Sequence, residues 1–228
     1  MKEYIQKQWV VLPVLCAVLL MALTLLVLLR VTDDAEMDLV RQVIVGRNDA
    51  VTTVLQGLTF ITSATPALLL SLGACLFDWR MASAERRTFK SLVTRHSSFA
   101  IVFFGTLVCN IGLRILIGRL RPDVEYIPNA LPELTASFQR YAFPSGHAGS
   151  ATVACFSWVA VLWRFQRVRL IALAVALFVW LGAGFGRFYM GLHWPTDVLG
   201  GYLLAGGWMC GVMGLRCNKP QIFTSPRT

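Results

Sequence analysis

Charge is scarce in this chain. Only 14% of its 228 residues are Asp, Glu, Lys or Arg, while 56% are hydrophobic and the mean hydropathy is +0.62. Because a soluble domain carries about 25% charged residues, this composition excludes an ordinary water-soluble protein. Several uncharged apolar runs approach the roughly 20 residues that cross a bilayer. The scarcity of charge therefore predicts an integral membrane protein.

Histidine and paired cysteines are scarce as well. The chain has three histidines and six cysteines, and no Cys-x-x-Cys pattern occurs. Five of the cysteines lie in apolar runs, which is typical of buried small side chains. This pattern lacks the spacings of a disulfide framework or a zinc site. We therefore expect no disulfide framework, no metal ion and no cofactor.

Acidic residues are outnumbered by basic ones, 12 to 21, which leaves a net charge of +9. In a soluble protein this excess would suggest a nucleic-acid partner. Here the basic residues follow the loops between apolar runs, so membrane orientation explains them better. We expect the partners to be the lipid bilayer and a membrane lipid, and no nucleic acid.

The apolar runs predict an all-α fold, a polytopic bundle of six transmembrane helices in one domain that covers residues 1–228. The predicted spans are residues 9–30, 54–77, 98–117, 147–163, 170–190 and 197–215. The first run is too long for the hydrophobic part of a signal peptide, and no small-residue cleavage site follows it. We therefore expect it to be retained as the first span.

Two local patterns predict further structure. Within residues 32–50 an apolar face favours a short interfacial helix, with a solvated loop as the alternative. That face consists of Leu39, Val40, Val43 and Ile44. Close helix packing is predicted where small residues recur four positions apart. The pairs are Gly182 with Gly186 and Gly207 with Gly211.

Loop charge predicts the orientation of the spans. Of the 21 lysines and arginines, 13 lie on the side of both termini and eight on the other side. The positive-inside rule then places both termini in the cytoplasm. The same topology brings three polar segments, residues 114–122, 144–147 and 187–197, to the outer face. Polar side chains are costly in so apolar a chain and mark functional sites.

The first polar segment carries Arg114 and Arg121, seven residues apart. On a continuous helix that ends near Pro122 they would share a face. Two guanidiniums side by side suit a tetrahedral dianion such as phosphate. The alternative is a pair of arginines that reach from a span end into the interface. Arg119, which lies between them, is interpreted in that second way.

The second polar segment is Pro144-Ser145-Gly146-His147. Ser145 is a natural N-cap for the fourth span. The free amides of a helix N-terminus attract anions, and Gly146 would let a phosphate oxygen approach the backbone. His147 would then lie beside that anion. An ordinary cap followed by an interfacial histidine is the alternative.

The third polar segment carries Arg187, His193 and Asp197. A carboxylate near one imidazole nitrogen fixes the tautomer and raises the basicity of the other nitrogen, which prepares a histidine as a nucleophile. The alternative is a polar loop that Asp197 caps at the start of the sixth span. Because three unrelated explanations would have to place their residues on one face by chance, we favour a single phosphate site.

Together the three segments resemble the motifs of the type-2 phosphatidic acid phosphatase family, which also includes vanadium haloperoxidases. The family pattern is Lys-x6-Arg-Pro, then Pro-Ser-Gly-His, then Ser-Arg-x5-His-x3-Asp, and the resemblance covers about residues 98–215. The chain departs from the pattern twice, with Arg114 in place of the lysine and Gly186 in place of the serine. Arginine is bulkier but keeps the charge, and glycine removes one possible hydrogen bond to phosphate.

The resemblance implies an integral-membrane lipid phosphatase that needs no metal ion. His193 would attack phosphorus and form a phosphohistidine, Asp197 would orient His193, and His147 would protonate the leaving oxygen and then activate water. The phosphate-binding residues would be Arg114, Arg121, Ser145, Gly146 and Arg187. The substrate would be a polyprenyl diphosphate, phosphatidylglycerol phosphate, phosphatidic acid or a lipid A phosphate. The site would face the periplasm or exterior from the cytoplasmic (inner) membrane.

Other functions stay open at this stage. The same groups could pass the phosphate to a second lipid, since hydrolysis and phosphotransfer use one site. Intramembrane charge also marks transporters, and an inactive scaffold would have the same spans. A haem-binding bundle would use histidines as axial ligands, but His147 and His193 stand at span ends among anion-binding groups.

Overall fold

A computed structural model of the chain describes residues 2–84, 89–122 and 141–217. These residues form eight helices, joined by turns, and one isolated β-bridge between Leu120 and Tyr141. The helices are α1 (Lys2–Leu28), α2 (Asp33–Val45), α3 (Asp49–Ile61), α4 (Ala64–Ala84), α5 (Phe89–Ile117), α6 (Gly146–Leu162), α7 (Arg169–Tyr189) and α8 (Pro195–Cys217).

The protein is a multi-pass α-helical membrane protein. In the described residues, α1, α5, α7 and α8 are long and apolar enough to cross a membrane, and the bent pair of α3 and α4 gives a fifth span if it crosses as one unit. Helix α6 is apolar but has only 17 residues. Length and composition thus support four to five spans and do not confirm the predicted count of six.

The predicted second span, residues 54–77, is wrong as one continuous helix. The chain forms α3 and α4 instead, bent by 60° at a short break after Ile61. Pro66 has no N–H, and its ring conflicts with the carbonyl of Thr62 four residues earlier, so an unbroken helix is disfavoured here. The Thr62 carbonyl accepts a hydrogen bond from Ser150 Oγ of α6 at 2.7 Å. The break therefore ties α3 and α4 to the first turns of α6.

Glycines set the closest helix contacts, as the small-residue pairs predict. A Cβ added at Gly186 of α7 would lie 2.9 Å from Thr59 Cγ2 of α3, and one at Gly182 would lie 2.5 Å from Leu58 Cδ1. On α8, a Cβ added at Gly207 would lie 3.3 Å from Cys16 Cβ of α1. The absence of side chains at these positions lets α3 approach α7 and α1 approach α8.

We expect Gly186→Ser to destabilise the protein by about 1–3 kcal/mol, because the new side chain must displace the backbone or Thr59. The measurement is the thermal unfolding midpoint of the detergent-purified protein. Gly57→Ser on α3 is the matched control, since a Cβ added at Gly57 meets nothing within 4 Å. Equal midpoints for the two variants would contradict the close α3–α7 approach.

The helix predicted between the first two spans is present as α2, so the solvated-loop alternative is wrong. Val40 is buried and packs with Ala142, Phe188 and Trp194. Val43 and Ile44 extend this cluster, whereas Leu39, the fourth member of the predicted face, is exposed. Helix α2 therefore packs against the end of α7 and the segment that precedes α8.

Candidate active site

A cavity of about 580 Å³ lies where α5 and α7 end and α6 begins. Five predicted site residues line it: Arg114, Arg121, Gly146, His147 and Arg187. The three others, Ser145, His193 and Asp197, have no exposed surface and do not line it. The structure thus brings the three polar segments together, with His193 and Asp197 enclosed.

Arg114 joins the first segment to the second. Its Nε donates a hydrogen bond to the carbonyl of Pro144 at 3.0 Å, and Asn110 Nδ2 donates to the same carbonyl at 3.1 Å. A Cβ added at Gly146 would lie 3.2 Å from Arg114 Nη2. Glycine at this position therefore lets the guanidinium lie against the first turn of α6.

The continuous helix predicted from Arg114 to Arg121 is wrong. Helix α5 ends at Ile117, because Gly118 adopts a left-handed conformation with a φ of +63°. The Gly118 amide donates to the Arg114 carbonyl at 3.0 Å, which closes the helix end. Arg121 lies beyond this turn, and the turn rather than Pro122 ends the helix. Both arginines still line the same cavity.

Ser145 is the N-cap of α6, as predicted. Its Oγ accepts a hydrogen bond from the Ala148 amide at 3.5 Å, and its own amide donates to the Asp197 carbonyl at 2.8 Å. This second bond ties the start of α6 to the first turn of α8. The first N–H groups of α6, at Gly146 and His147, have no partner within the helix and lie at the cavity.

His193 is positioned by the turn that joins α7 to α8. The Arg187 carbonyl accepts hydrogen bonds from the amides of Leu192 and His193, at 3.0 and 3.3 Å. His193 Nδ1 lies 3.4 Å from Asp197 Oδ2 without forming a hydrogen bond, and that oxygen accepts a hydrogen bond from the Trp194 amide at 2.8 Å. The carboxylate thus faces Nδ1 and leaves Nε2 as the nitrogen available for chemistry.

Positive charge dominates the cavity. Three guanidiniums line it, and among the described residues no carboxylate does. Arg121 Nε, Arg121 Nη1 and Arg187 Nε are buried without a hydrogen-bond partner in the described part of the chain. Buried cations that repel one another and lack partners are costly. An anion with several acceptor oxygens would satisfy them together.

The same environment keeps His193 uncharged. Its complete burial, followed by the nearby guanidiniums of Arg187, Arg121 and Arg114, holds the pKa of His193 well below its usual range. A neutral imidazole retains the lone pair that nucleophilic attack requires. Because His193 has no exposed surface, a phosphoryl group can reach it only if the surrounding side chains rearrange.

A metal centre has no obvious ligands in this region. Across residues 2–84, 89–122 and 141–217, no three or more His, Cys, Asp or Glu side chains cluster in an arrangement that could hold an ion.

Comparison with known proteins identifies the family. The sequence profile of the PAP2 superfamily matches residues 95–220, which include all three polar segments. The chain belongs to the PAP2 superfamily. Among curated PAP2-type relatives, it is 37% identical over 126 residues to a lipid A 1-phosphatase of Rhizobium etli. It is 31% identical over 113 residues to a lipid A 4'-phosphatase of Bacteroides thetaiotaomicron.

These sequence matches are partial. They cover 53% and 47% of this chain and 50% and 48% of the two relatives, so the chain spans about half the length of the curated relatives it matches. A solved structure, a transmembrane PAP2 type phosphatidylglycerolphosphate phosphatase from Bacillus subtilis, resembles the fold with a TM-score of 0.72 at 22% identity. That similarity covers 90% of this chain and 96% of the other, and it shows a common fold.

The two departures from the PAP2 pattern have structural counterparts. Arg114 uses Nε to hold the Pro144 carbonyl while its terminal nitrogens remain at the cavity, and a lysine, with one nitrogen, could not do both. Gly186 is the point where α3 crosses α7, and a serine there would collide with Thr59. The glycine therefore permits helix packing where the usual PAP2 serine would sit.

Two residues near this site, Arg119 and Glu36, were not predicted from the sequence to contact it. Arg119, interpreted as an arginine that reaches the interface, instead donates to Asp197 Oδ1 at 3.1 Å and to Glu36 Oε2 at 2.7 Å. Glu36 of α2 is buried. The available signal was the run of acidic residues within 33–38, at the start of α2, together with a basic residue that the PAP2 motif does not use.

Proposed function

We propose that this protein is a lipid phosphatase that removes a phosphate, from a phosphomonoester or a diphosphate, at a membrane lipid head group. The supporting observation is a single cavity lined by three guanidiniums and, among the residues that the structure describes, by no carboxylate. His147 also lines this cavity, and the His193–Asp197 pair is enclosed next to it. Those groups can bind a tetrahedral dianion and act on it. Because both curated relatives described above are named lipid A phosphatases, lipid A phosphates are among the first substrates to test.

In this mechanism His193 Nε2 attacks phosphorus, and the bond from phosphorus to the lipid oxygen breaks. His147, which carries a proton once the bound phosphate dianion offsets the three guanidiniums, gives that proton to the leaving oxygen and then accepts a proton from the water that hydrolyses the phosphohistidine. Asp197 holds His193 through Nδ1. Phosphate and the dephosphorylated lipid leave, and both histidines return to their starting protonation states.

The phosphoryl oxygens are held by the cationic wall. Arginine presents parallel donors to oxygen pairs, and this stabilises the charge that develops in the transition state. The proposed ligands are Arg114, Arg121, Arg187, the Gly146 amide and Ser145. Ser145 acts mainly through its cap, because its Oγ already accepts the Ala148 amide. No metal ion is needed in this scheme, since the guanidiniums carry the positive charge.

The lipid chain leaves the cavity through its apolar part. Beside the arginines, the wall carries Ala64 of α4, Phe103 and Leu107 of α5, and Val153 of α6. Such a wall can hold an acyl or prenyl chain while the head group meets the arginines. We place the opening to the bilayer between these three helices.

The proposed topology keeps six spans in one domain, residues 1–228, with the motif-bearing core at about residues 98–215. The α3–α4 pair counts as one bent span and α6 as a short one. Both termini then lie in the cytoplasm, and the site faces the periplasm or exterior of the inner membrane.

The test is a phosphate-release panel with the detergent-purified protein. Four lipids are supplied: a polyprenyl diphosphate, phosphatidylglycerol phosphate, phosphatidic acid and a lipid A phosphate. Each is assayed with and without an acceptor lipid, because phosphotransfer would reduce free phosphate when the acceptor is present. Release from at least one lipid supports the proposal, and no release from any of them refutes it.

We expect vanadate to inhibit this reaction half-maximally below about 1 mM, because it can adopt the five-coordinate geometry of phosphoryl transfer at His193. The measurement is phosphate release against vanadate concentration. Sulfate at matched ionic strength is the control, since it is a tetrahedral anion that stays four-coordinate. Equal inhibition by sulfate and vanadate would contradict a nucleophile that bonds to the anion.

A further inference from the structure

A buried charge network connects α2 to the enclosed Asp197. Arg119 Nη2 lies 2.7 Å from Glu36 Oε2 and 2.9 Å from Asp33 Oδ1, while its Nη1 lies 3.1 Å from Asp197 Oδ1. The Arg119 side chain is 9% exposed, Glu36 8% and Asp197 0%. None of these residues lines the cavity with the three site arginines. The network contacts the His193–Asp197 pair through Asp197.

Both oxygens of Asp197 are held. Oδ1 accepts from Arg119 Nη1, and Oδ2 accepts from the Trp194 amide at 2.8 Å. The contact between Oδ2 and His193 Nδ1, at 3.4 Å, depends on how the carboxylate plane is turned. Arg119 holds the oxygen that His193 does not touch, so it fixes that plane without competing with the imidazole.

Glu36 holds the other end of the same arrangement. Its Oε1 accepts hydrogen bonds from the Thr196 amide and the Thr196 hydroxyl, both at 2.8 Å. Thr196 directly precedes Asp197 in the first turn of α8, and its Oγ1 also accepts from Arg119 Nη1 at 2.6 Å. One carboxylate of α2 therefore fixes the backbone beside Asp197 and the guanidinium that holds its side chain.

The charges of this network are mutually dependent. Burial lowers the pKa of Arg119, but Asp197 and Glu36 outweigh that effect and leave the pKa raised. The Arg119 guanidinium also lies 5.0 Å above the centre of the Trp194 ring, which restricts its position. Removing one partner of a buried charge network leaves the remaining charges uncompensated. Loss of Arg119 would thus release Asp197 as well as weaken the attachment of α2.

We propose that Arg119 and Glu36 are positioning residues for the reaction, so that Glu36 has an indirect role in catalysis although no residue of α2 lines the cavity. This inference rests on the proposed phosphatase function. Arg119 sets the orientation of the Asp197 carboxylate, and Glu36 sets the position of Arg119 and of the first turn of α8. The oriented carboxylate in turn holds His193 in line for attack.

The test compares kcat and KM for phosphate release by Arg119→Met, Arg119→Lys and Glu36→Gln with those of the wild type. Hydrogen-bond partners that orient the ligands of a metal ion contribute about 10- to 100-fold to activity, and we expect the same order for a partner that orients Asp197. We expect kcat to fall by that factor in Arg119→Met, with KM within about twofold of the wild type, because the three cavity arginines are retained. Arg119→Lys should recover part of the loss. Glu36→Gln should reduce kcat by about 10-fold. If Arg119→Met does not fold, the kcat of Glu36→Gln alone tests the positioning role.

Arg41→Met is the matched control, since Arg41 lies on α2 with a 50% exposed side chain. Its kcat should equal that of the wild type. A kcat within twofold of the wild type in both Arg119→Met and Glu36→Gln, or a rise in KM alone, overturns the positioning role while wild-type phosphate release keeps the phosphatase function. Failure of the wild type to release phosphate overturns both.

Discussion

Replacing His193 with alanine should reduce kcat for phosphate release by at least about 10³-fold, because the proposed mechanism assigns the bond to phosphorus to His193. The protein should still fold, since the amide of residue 193 keeps its bond to the Arg187 carbonyl. The measurement is steady-state phosphate release by the detergent-purified variant, beside its gel-filtration profile. We expect the variant to elute from gel filtration like the wild type and to show no turnover.

The covalent intermediate gives this prediction a second measurement. A brief reaction with a lipid carrying labelled phosphate, stopped in alkali to preserve the nitrogen–phosphorus bond, should leave label on the wild type and none on His193→Ala. His96→Ala is the matched histidine control. His96 lies 18 residues before Arg114 on α5, about 27 Å along the helix. Label retained by His193→Ala, or full activity in it, would contradict the nucleophile assignment.

The convergence of the three polar segments could be predicted from sequence because it depends on topology. The predicted spans leave none between the first two segments and two between the second and the third, and an even number returns the chain to the same face. The approach of His193 to Asp197 was also predictable, since the two residues are four positions apart where the sixth predicted span begins. Predicting these features requires only the period of a helix and the number of residues that cross a bilayer.

Local breaks were harder to predict because apolar composition does not record them. Pro66 lies within a run of hydrophobic residues that looks like one span, yet its missing N–H divides that run into α3 and α4. Gly118 ends α5 four residues after Arg114 in the same way, through backbone conformation. Both signals were present as single residues, but hydropathy averaged over a span conceals them.

Arg119 and Glu36 were missed for a different reason. They are 83 residues apart in the chain, and their contact depends on how α2 packs against the end of α7. No periodicity connects the two positions. A charged residue inside an apolar chain needs a partner, so an arginine outside the family motif and the acidic residues within 33–38 were evidence for each other.

His147→Ala should lower kcat for a lipid phosphate by about 10²–10⁴-fold, the usual contribution of a general acid and base. His147 lies on the cavity wall in the first turn of α6, beside the amides proposed to bind phosphate. Alanine keeps that helical turn, because it is the strongest helix former. We therefore expect KM to change little, and the effect to appear in kcat.

The two steps assigned to His147 can be separated by changing the leaving group. With p-nitrophenyl phosphate, the leaving oxygen needs no proton, so the His147→Ala variant should form the phosphohistidine at nearly the wild-type rate. In the second step, water would still lack its general base. The phosphohistidine enzyme should therefore accumulate, and p-nitrophenol should appear as a burst followed by slow turnover. If the burst is absent while the lipid reaction is slow, His147 serves only the first step or binding. If both substrates turn over at the wild-type rate, the acid–base role belongs to another group.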